Sequence, residues 1–115
     1  MDKLFNIISN LGSPKIMVIG DLMLDKYVWG EVKRISQEAP IPIINVSSED
    51  VRPGGAGSVV NNLKTLGAQV FACGIIGDDA HGHTLMNIFK QLGADTVGII
   101  VDKSRPTIMK MRFMG

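Results

Sequence analysis

Arg52-Pro-Gly-Gly-Ala-Gly-Ser-Val-Val-Asn-Asn62 is the stretch on which the reading of this chain turns. Three glycines sit at the head of a helical stripe in which Ala56, Val59, Val60, Leu63 and Leu66 recur on one face, with Gly67 closing it. The expected structure is a turn leading into a helix whose first N–H groups are free and barely covered by side chains. Glycine lets backbone approach a ligand closely, and a helix N-terminus carries partial positive charge. Such an entrance suits a small polyhydroxy or phosphorylated ligand, while simple helix-entry punctuation would place glycines there too. Two familiar phosphate cradles are excluded. Val60 stands where the dinucleotide fingerprint needs its third glycine, and no strand is read as running directly into the turn. No Gly-Lys-Ser/Thr follows, as a P-loop requires.

Upstream, Lys15-Ile-Met-Val-Ile-Gly20 reads as a central parallel strand covered on both faces. Asp21 and Asp25 flank Leu22-Met-Leu24, taken as a turn beyond that strand. Ligands of open parallel sheets bind beyond the carboxyl ends of the strands. Paired carboxylates there can accept hydrogen bonds from sugar hydroxyls, although turn capping accounts for either aspartate alone. Tyr27–Val32 and Ile41–Val46 are rich in β-branched and aromatic residues, with Pro40 and Pro42 marking an edge. They predict two strands of a small subsidiary sheet outside the main fold. Asp2–Leu11 predicts an amphipathic helix with Gly12 as C-cap.

Downstream, Gln69–Ile76 predicts a strand. Ala80–Leu92 predicts a helix with Leu85, Ile88, Phe89 and Leu92 on one stripe, Gly93 as cap and Asp78 or Asp79 as N-cap. His81 and His83 fall on different helix faces, read as solvent-facing rather than as a metal pair. Val97–Val101 is a third core strand. Pro106–Phe113 alternates, with Ile108, Lys110 and Arg112 on one face and Met109, Met111 and Phe113 on the other. It predicts a further strand of the subsidiary sheet, its basic face either merely wet or set for an anion. Strands alternating with helices predict an α/β layered fold with a largely parallel sheet.

Composition narrows the function. The chain has 115 residues, 45% hydrophobic content, a net charge of +1 and one cysteine. That size and apolar content fit a packed domain, or part of one. The balanced charge offers no electrostatic case for nucleic acid or for an anionic membrane. Cys73 cannot form an internal disulfide, which favours a reducing, cytoplasmic setting. No apolar run approaches the length needed to span a bilayer. Three core strands with two or three helices would leave sheet edges and faces uncovered. The chain is therefore expected to be the front part of a larger enzyme, a small complete domain being the alternative.

These residues carry a resemblance to the ribokinase-like (PfkB) carbohydrate kinases. It rests on Val18-Ile-Gly-Asp-Leu-Met-Leu-Asp25, Arg52-Pro-Gly-Gly-Ala-Gly57, the Leu66-Gly67-Ala68 helix exit, and Gly74-Ile-Ile-Gly-Asp-Asp79 with Gly82. Arg34-Ile-Ser-Gln-Glu-Ala-Pro-Ile-Pro42 and Pro106-Thr-Ile-Met-Lys-Met-Arg112 resemble a subgroup, the D-glycero-D-manno-heptose 7-phosphate kinase domains of bifunctional ADP-heptose synthases. The resemblance implies a three-layer α/β fold, here incomplete. Its core would occupy about 14–25 and 52–101, and β-lid strands about 26–47 and 106–113. It implies ATP-dependent phosphorylation of heptose 7-phosphate to the 1,7-bisphosphate, for lipopolysaccharide core synthesis, in the cytoplasm. ATP and Mg2+ are the implied cofactors, bound mainly beyond Gly115. A homodimer formed through the lid is the implied partner arrangement. Carried over, Asp21 and Asp25 would hold sugar hydroxyls, and Gly54 and Gly55 would press backbone N–H groups against the sugar. Lys110 and Arg112 would lie on a lid strand near the substrate, and Arg34, in the loop joining two lid strands, would reach its phosphate. Ser58 stands where the family usually has Asn, so a direct contact there loses one amide function. The family's later Gly-Ala-Gly-Asp motif, with its catalytic base, is absent, so this piece is expected to be inactive alone. Another PfkB sugar or nucleoside kinase, or a non-catalytic sugar-binding module, are the alternatives.

Overall fold

The apolar runs pair into two three-stranded sheets that share one core. The computed structural model describes Met1–Gly115, in the order α1 (Asp2–Ser9), β1 (Lys15–Ile19), β2 (Leu22–Ile35), β3 (Pro42–Gly55), α2 (Ala56–Thr65), β4 (Gln69–Ile76), α3 (Ala80–Leu92), β5 (Ile99–Val101) and β6 (Ile108–Met114). β1, β4 and β5 form a parallel sheet with β4 in the centre. Val18, Val70, Ala72, Ile76 and Ile99 on one face join Val60 of α2 and Leu85 and Phe89 of α3 in the core. The opposite face is bare, with Ile19 75% and Ile100 64% exposed. β1 is thus an edge strand covered on one face, not a central strand covered on both. Its residues are apolar on both sides, but helices pack against only one.

The second sheet has the order β3-β2-β6, with β3 antiparallel and β6 parallel to β2. β2 and β3 are 14 residues each, far longer than the expected strands. Leu22–Leu24 and Arg52–Gly55, both expected as turns, are strand, and β3 therefore runs directly into α2. Pro53, Gly54 and Gly55 are local strand breakers, but β3 lies at a sheet edge, where proline is tolerated. Nor does this sheet stand outside the main fold. Leu22, Leu24 and Val28 of β2 are buried, and the first two belong to the common core. Past register shifts at Trp29/Gly30 and Val32/Arg34 the hairpin leaves that core. The Cα radius of gyration is 18.6 Å, against about 13 Å for a compact chain of this length.

α3 begins and ends as its pattern predicts, with Asp79 as N-cap and Gly93 in the left-handed C-terminal position. His81 is half-buried, whereas His83 is exposed and lies 3.3 Å from Asp78. In α2 the burial stripe is narrower than the apolar pattern. Gly57 and Val60 are buried, while Val59 is half-exposed and Leu66 lies mostly in water. α1 ends at Asn10 rather than Gly12 and buries none of its residues.

The Asp79 carboxylate fastens β6 to the core. It accepts hydrogen bonds from Gly82 N–H (2.8 Å), Thr107 N–H (2.9 Å) and the Thr107 hydroxyl (2.6 Å). Thr107 Oγ1 accepts in turn from Gly77 N–H at 2.9 Å. These donors, the Thr107 hydroxyl first, hold the Asp79 pKa at about 2, below the ordinary 3.8. The start of β6 is thereby pinned to the turn between β4 and α3.

Candidate functional site

Strand periodicity builds the site. Leu22, Leu24 and Val28 face the core, so Met23, Asp25 and Tyr27 face away from it. The register places Gly54, Arg52 and Asp50 of β3 beside them on one side, and Ile108, Lys110 and Arg112 of β6 on the other. Asp25, Lys110 and Arg112, together with Gly54, are thus gathered on one open sheet face.

Asp25 is the centre of that face. Its side chain is 18% exposed, and Oδ2 lies 3.7 Å from Arg112 Nη1. Oδ1 is buried and has no hydrogen-bond partner. A buried acceptor left unpaired costs free energy, on the order of 1–3 kcal/mol, so this oxygen calls for a donor. Gly54 is what makes room for the carboxylate: a Cβ there would sit 2.6 Å from Asp25 Oδ1 and Oδ2. Gly55 follows with φ +58°, a conformation that side-chain-bearing residues rarely adopt, and a Cβ there would lie 2.5 Å from the Asp21 carbonyl. That carbonyl accepts from Ala56 N–H at 2.9 Å, closing the entry to α2.

The remaining sequence-derived positions lie around this centre. Asp21 is exposed and lines a cleft of about 410 Å3 over the bare sheet face, with Gly20, Gly74, Gly98, Arg105 and Ile108. Asp25 does not line that cleft, and Ile108 is the residue common to the cleft and the open face. Ser58 donates its hydroxyl hydrogen to Gly55 O at 2.8 Å, which leaves it only an acceptor. Arg34 is not in a loop: it pairs with Ile43 inside the hairpin. Nine strand positions separate it from Asp25, roughly 30 Å at the rise of a β-strand, so the structure does not bring it to the site.

Two residues of the open face escaped the sequence reading. Tyr27 lies two positions from Asp25 on the same strand, and Arg52 is Asp25's partner across the sheet. The Arg52 guanidinium carbon is 4.9 Å and that of Arg112 is 5.2 Å from the Tyr27 ring centroid. Arg112 Nη1 also donates to Tyr27 Oη at 2.7 Å, and Arg52 Nε to Asp50 at 2.8 Å. The signal was the period-two spacing of Asp25 and Tyr27, hidden once Leu22–Leu24 was taken as a turn.

The 115 residues do not fit ATP or Mg2+ by themselves. At the glycine-rich entry, Gly54 faces the Asp25 carboxylate, which would repel a triphosphate. No group of three or more acidic, His or Cys side chains gathers to hold a cation. No helix is long and apolar enough to cross a membrane.

Comparison with known proteins gives a concordant result. Residues 13–115 match the family model described as pfkB family carbohydrate kinase. The chain is 50% identical over 100 residues to the bifunctional protein HldE of Helicobacter acinonychis, covering 87% of this chain and 22% of that protein. It is 52% identical over 100 residues to the same-named protein of Helicobacter hepaticus, covering 87% of this chain and 21% of that one. The chain thus spans about a fifth of the length of the curated relatives it matches. Among solved structures, Arabidopsis thaliana ribokinase complexed with ribose and ATP superposes with a TM-score of 0.65 at 20% identity, covering 90% of this chain and 32% of that one. That likeness is one of fold, and the α/β arrangement is ribokinase-like.

Proposed function

This chain belongs to the pfkB family of carbohydrate kinases, and from that premise we propose that its open strand face is the sugar-binding part of an ATP-dependent kinase acting on D-glycero-D-manno-heptose 7-phosphate. The product would be the 1,7-bisphosphate, made in the cytoplasm for the ADP-heptose of the lipopolysaccharide core. The observation that carries the reading is Asp25 Oδ1, buried, unpaired and given its space by Gly54. A sugar hydroxyl is a donor of the right kind, and an ionised carboxylate accepts it more strongly than a neutral group would. Lys110 and Arg112 on the adjacent strand supply cationic donors for a phosphorylated sugar. Likeness to the HldE proteins favours the heptose phosphate over other sugars.

On this reading β2, β3 and β6 form a lid over the sugar. Trp29, Val32, Ile35 and Val46 expose apolar surface along the projecting hairpin, which supports pairing of two copies through the lid. ATP and Mg2+ belong to the proposed reaction, but no step through either is derived from these residues.

Calorimetric titration of the chain with heptose 7-phosphate tests the reading. Asp25→Asn keeps the shape and removes the charge. It is expected to weaken binding about tenfold or more, the range for a hydrogen bond to a charged group. Unchanged affinity would remove Asp25 from the sugar site, and tighter binding of unphosphorylated ribose or fructose would move the chain to another substrate class.

A further inference from the structure

We propose that Thr107 is a positioning residue of the site: seated on Asp79, it fixes the register of β6 on β2 and so sets Lys110, not Arg112, beside Asp25. What that position does for a ligand rests on the reading of Asp25 as the sugar contact. The register itself does not.

The need for such a peg follows from the sequence of β6. Its ladder pairs Met23 with Ile108, Asp25 with Lys110 and Tyr27 with Arg112, and β2 is its only neighbour in the sheet. A slide of one residue would turn the core-facing side chains to water, so the alternation forbids it. A slide of two residues keeps every side chain on its own face. It would put Met111 where Met109 packs against the core, and Arg112 where Lys110 stands. Methionine replaces methionine and cation replaces cation, because Met109-Lys-Met-Arg112 repeats with the period of the strand. The side chains of β6 thus choose its face but hardly its height. About 7 Å of travel separates the two heights. As an edge strand, β6 has no second ladder to decide between them.

The socket at its start does decide. Thr107, 6% exposed, is the most buried polar residue of the chain. Its hydroxyl donates to Asp79 Oδ1 at 2.6 Å and accepts from Gly77 N–H at 2.9 Å, while its own N–H donates to Asp79 Oδ2 at 2.9 Å. Asp79 is itself held by Gly82 N–H at 2.8 Å. Glycine at 77 and 82 is what leaves the socket open. A Cβ on Gly77 would sit 2.7 Å from Thr107 N, and one on Gly82 would sit 2.8 Å from Thr107 Oγ1. The two-residue slides would bring Met109 or Arg105 to this place. Neither carries a short hydroxyl, so the buried Gly77 N–H and the Asp79 carboxylate would lose their partner. Only two residues stand between Thr107 and Lys110, too short a run to take up slack.

Amide NMR of the chain and its variants, with through-space contacts between β2 and β6 and relaxation dispersion for a minor register, tests the peg. The wild type is expected to show one set of β6 signals, with Asp25–Lys110 backbone contacts. Thr107→Val keeps the branched shape and removes the hydroxyl. It should shift the balance of registers about tenfold or more, the range for a hydrogen bond to a charged group. The signals of residues 108–114 should then split or broaden, with new Asp25–Arg112 contacts. Thr107→Ser should restore the single set. A folded Thr107→Val that keeps only the Asp25–Lys110 contacts overturns the proposal. So does one that loses them without gaining others, since β6 would then fray rather than slide. Should Thr107→Val fail to fold, Asp79→Asn is read by the same contacts. Calorimetric titration with heptose 7-phosphate runs alongside. Affinity should fall in Thr107→Val in proportion to the displaced fraction and return in Thr107→Ser. A displaced register with unchanged affinity would leave the peg standing and overturn the reading of the sugar site instead.

Discussion

At the scale of single residues, one carboxylate can be followed by pH. Asp79 has a folded pKa of about 2 against 3.8 in its ordinary state, so between those values the unfolded chain binds more protons than the folded one. Its stabilising contribution is complete above about pH 4 and is lost as pH falls through 2. The melting temperature of the wild type should therefore fall more steeply over this range than that of Asp79→Asn. Circular-dichroism melts across the range check it, and parallel curves would assign the acid sensitivity elsewhere. Asp102, lowered by the Ser104 hydroxyl, leaves a residual slope in both proteins. The N-cap itself was legible, because Gly77-Asp-Asp79 ahead of an apolar stripe is local information. Its bond to Thr107 was not, since the two lie 28 residues apart and meet only when β6 docks. Asp25 was legible as a candidate but not as a strand residue. Its significance depends on Gly54, which no spacing rule links to it.

Among the elements, α3 shows what local pattern reaches. Leu85 and Phe89 are fully buried, and the helix runs over the predicted residues. Helical period, cap and stop all lie within a few residues of one another. Phe89 also touches α2, where a Cβ on Gly57 would sit 3.1 Å from its ring. Phe89→Ala leaves a cavity between two helices and a sheet, and should cost about 3–5 kcal/mol in denaturant unfolding with little change in slope. A loss well under about 2 kcal/mol would mean that the site collapses around the gap. The strands were harder to read. β2 and β3 have one face on the core and one carrying charge, and their ends contain glycine and proline. Local breaker signals therefore outweighed a pairing made between strands distant in sequence. β6 was found because its alternation is uninterrupted, but its parallel pairing with β2 depends on a crossover that spans most of the chain.

For the whole molecule, the salient surface is the bare face of the β1-β4-β5 sheet. Met17, Ile19, Ile75 and Ile100 present apolar side chains there to water. Contiguous patches of this kind drive association. Ile19→Lys with Ile100→Lys should shift sedimentation toward the monomer at a given concentration and leave the melting temperature nearly unchanged, because both side chains are mostly exposed. Unaltered sedimentation would clear this face of any part in self-association. That some face would lie bare was legible from the count of strands and helices. Which face it would be was not, because the apolar strands look alike on both sides.

β2 runs unbroken from Leu22 in the core to Ile35 near the hairpin tip. A hairpin built on a shared strand has no separate hinge about which to swing. Its inner half is anchored by Leu22, Leu24 and Val28, so bending must concentrate at the register slips beside Gly30 and Arg34. A force applied at the tip is then largely spent in the outer segment. Asp25 and Tyr27 lie on the anchored part of the strand, short of both slips.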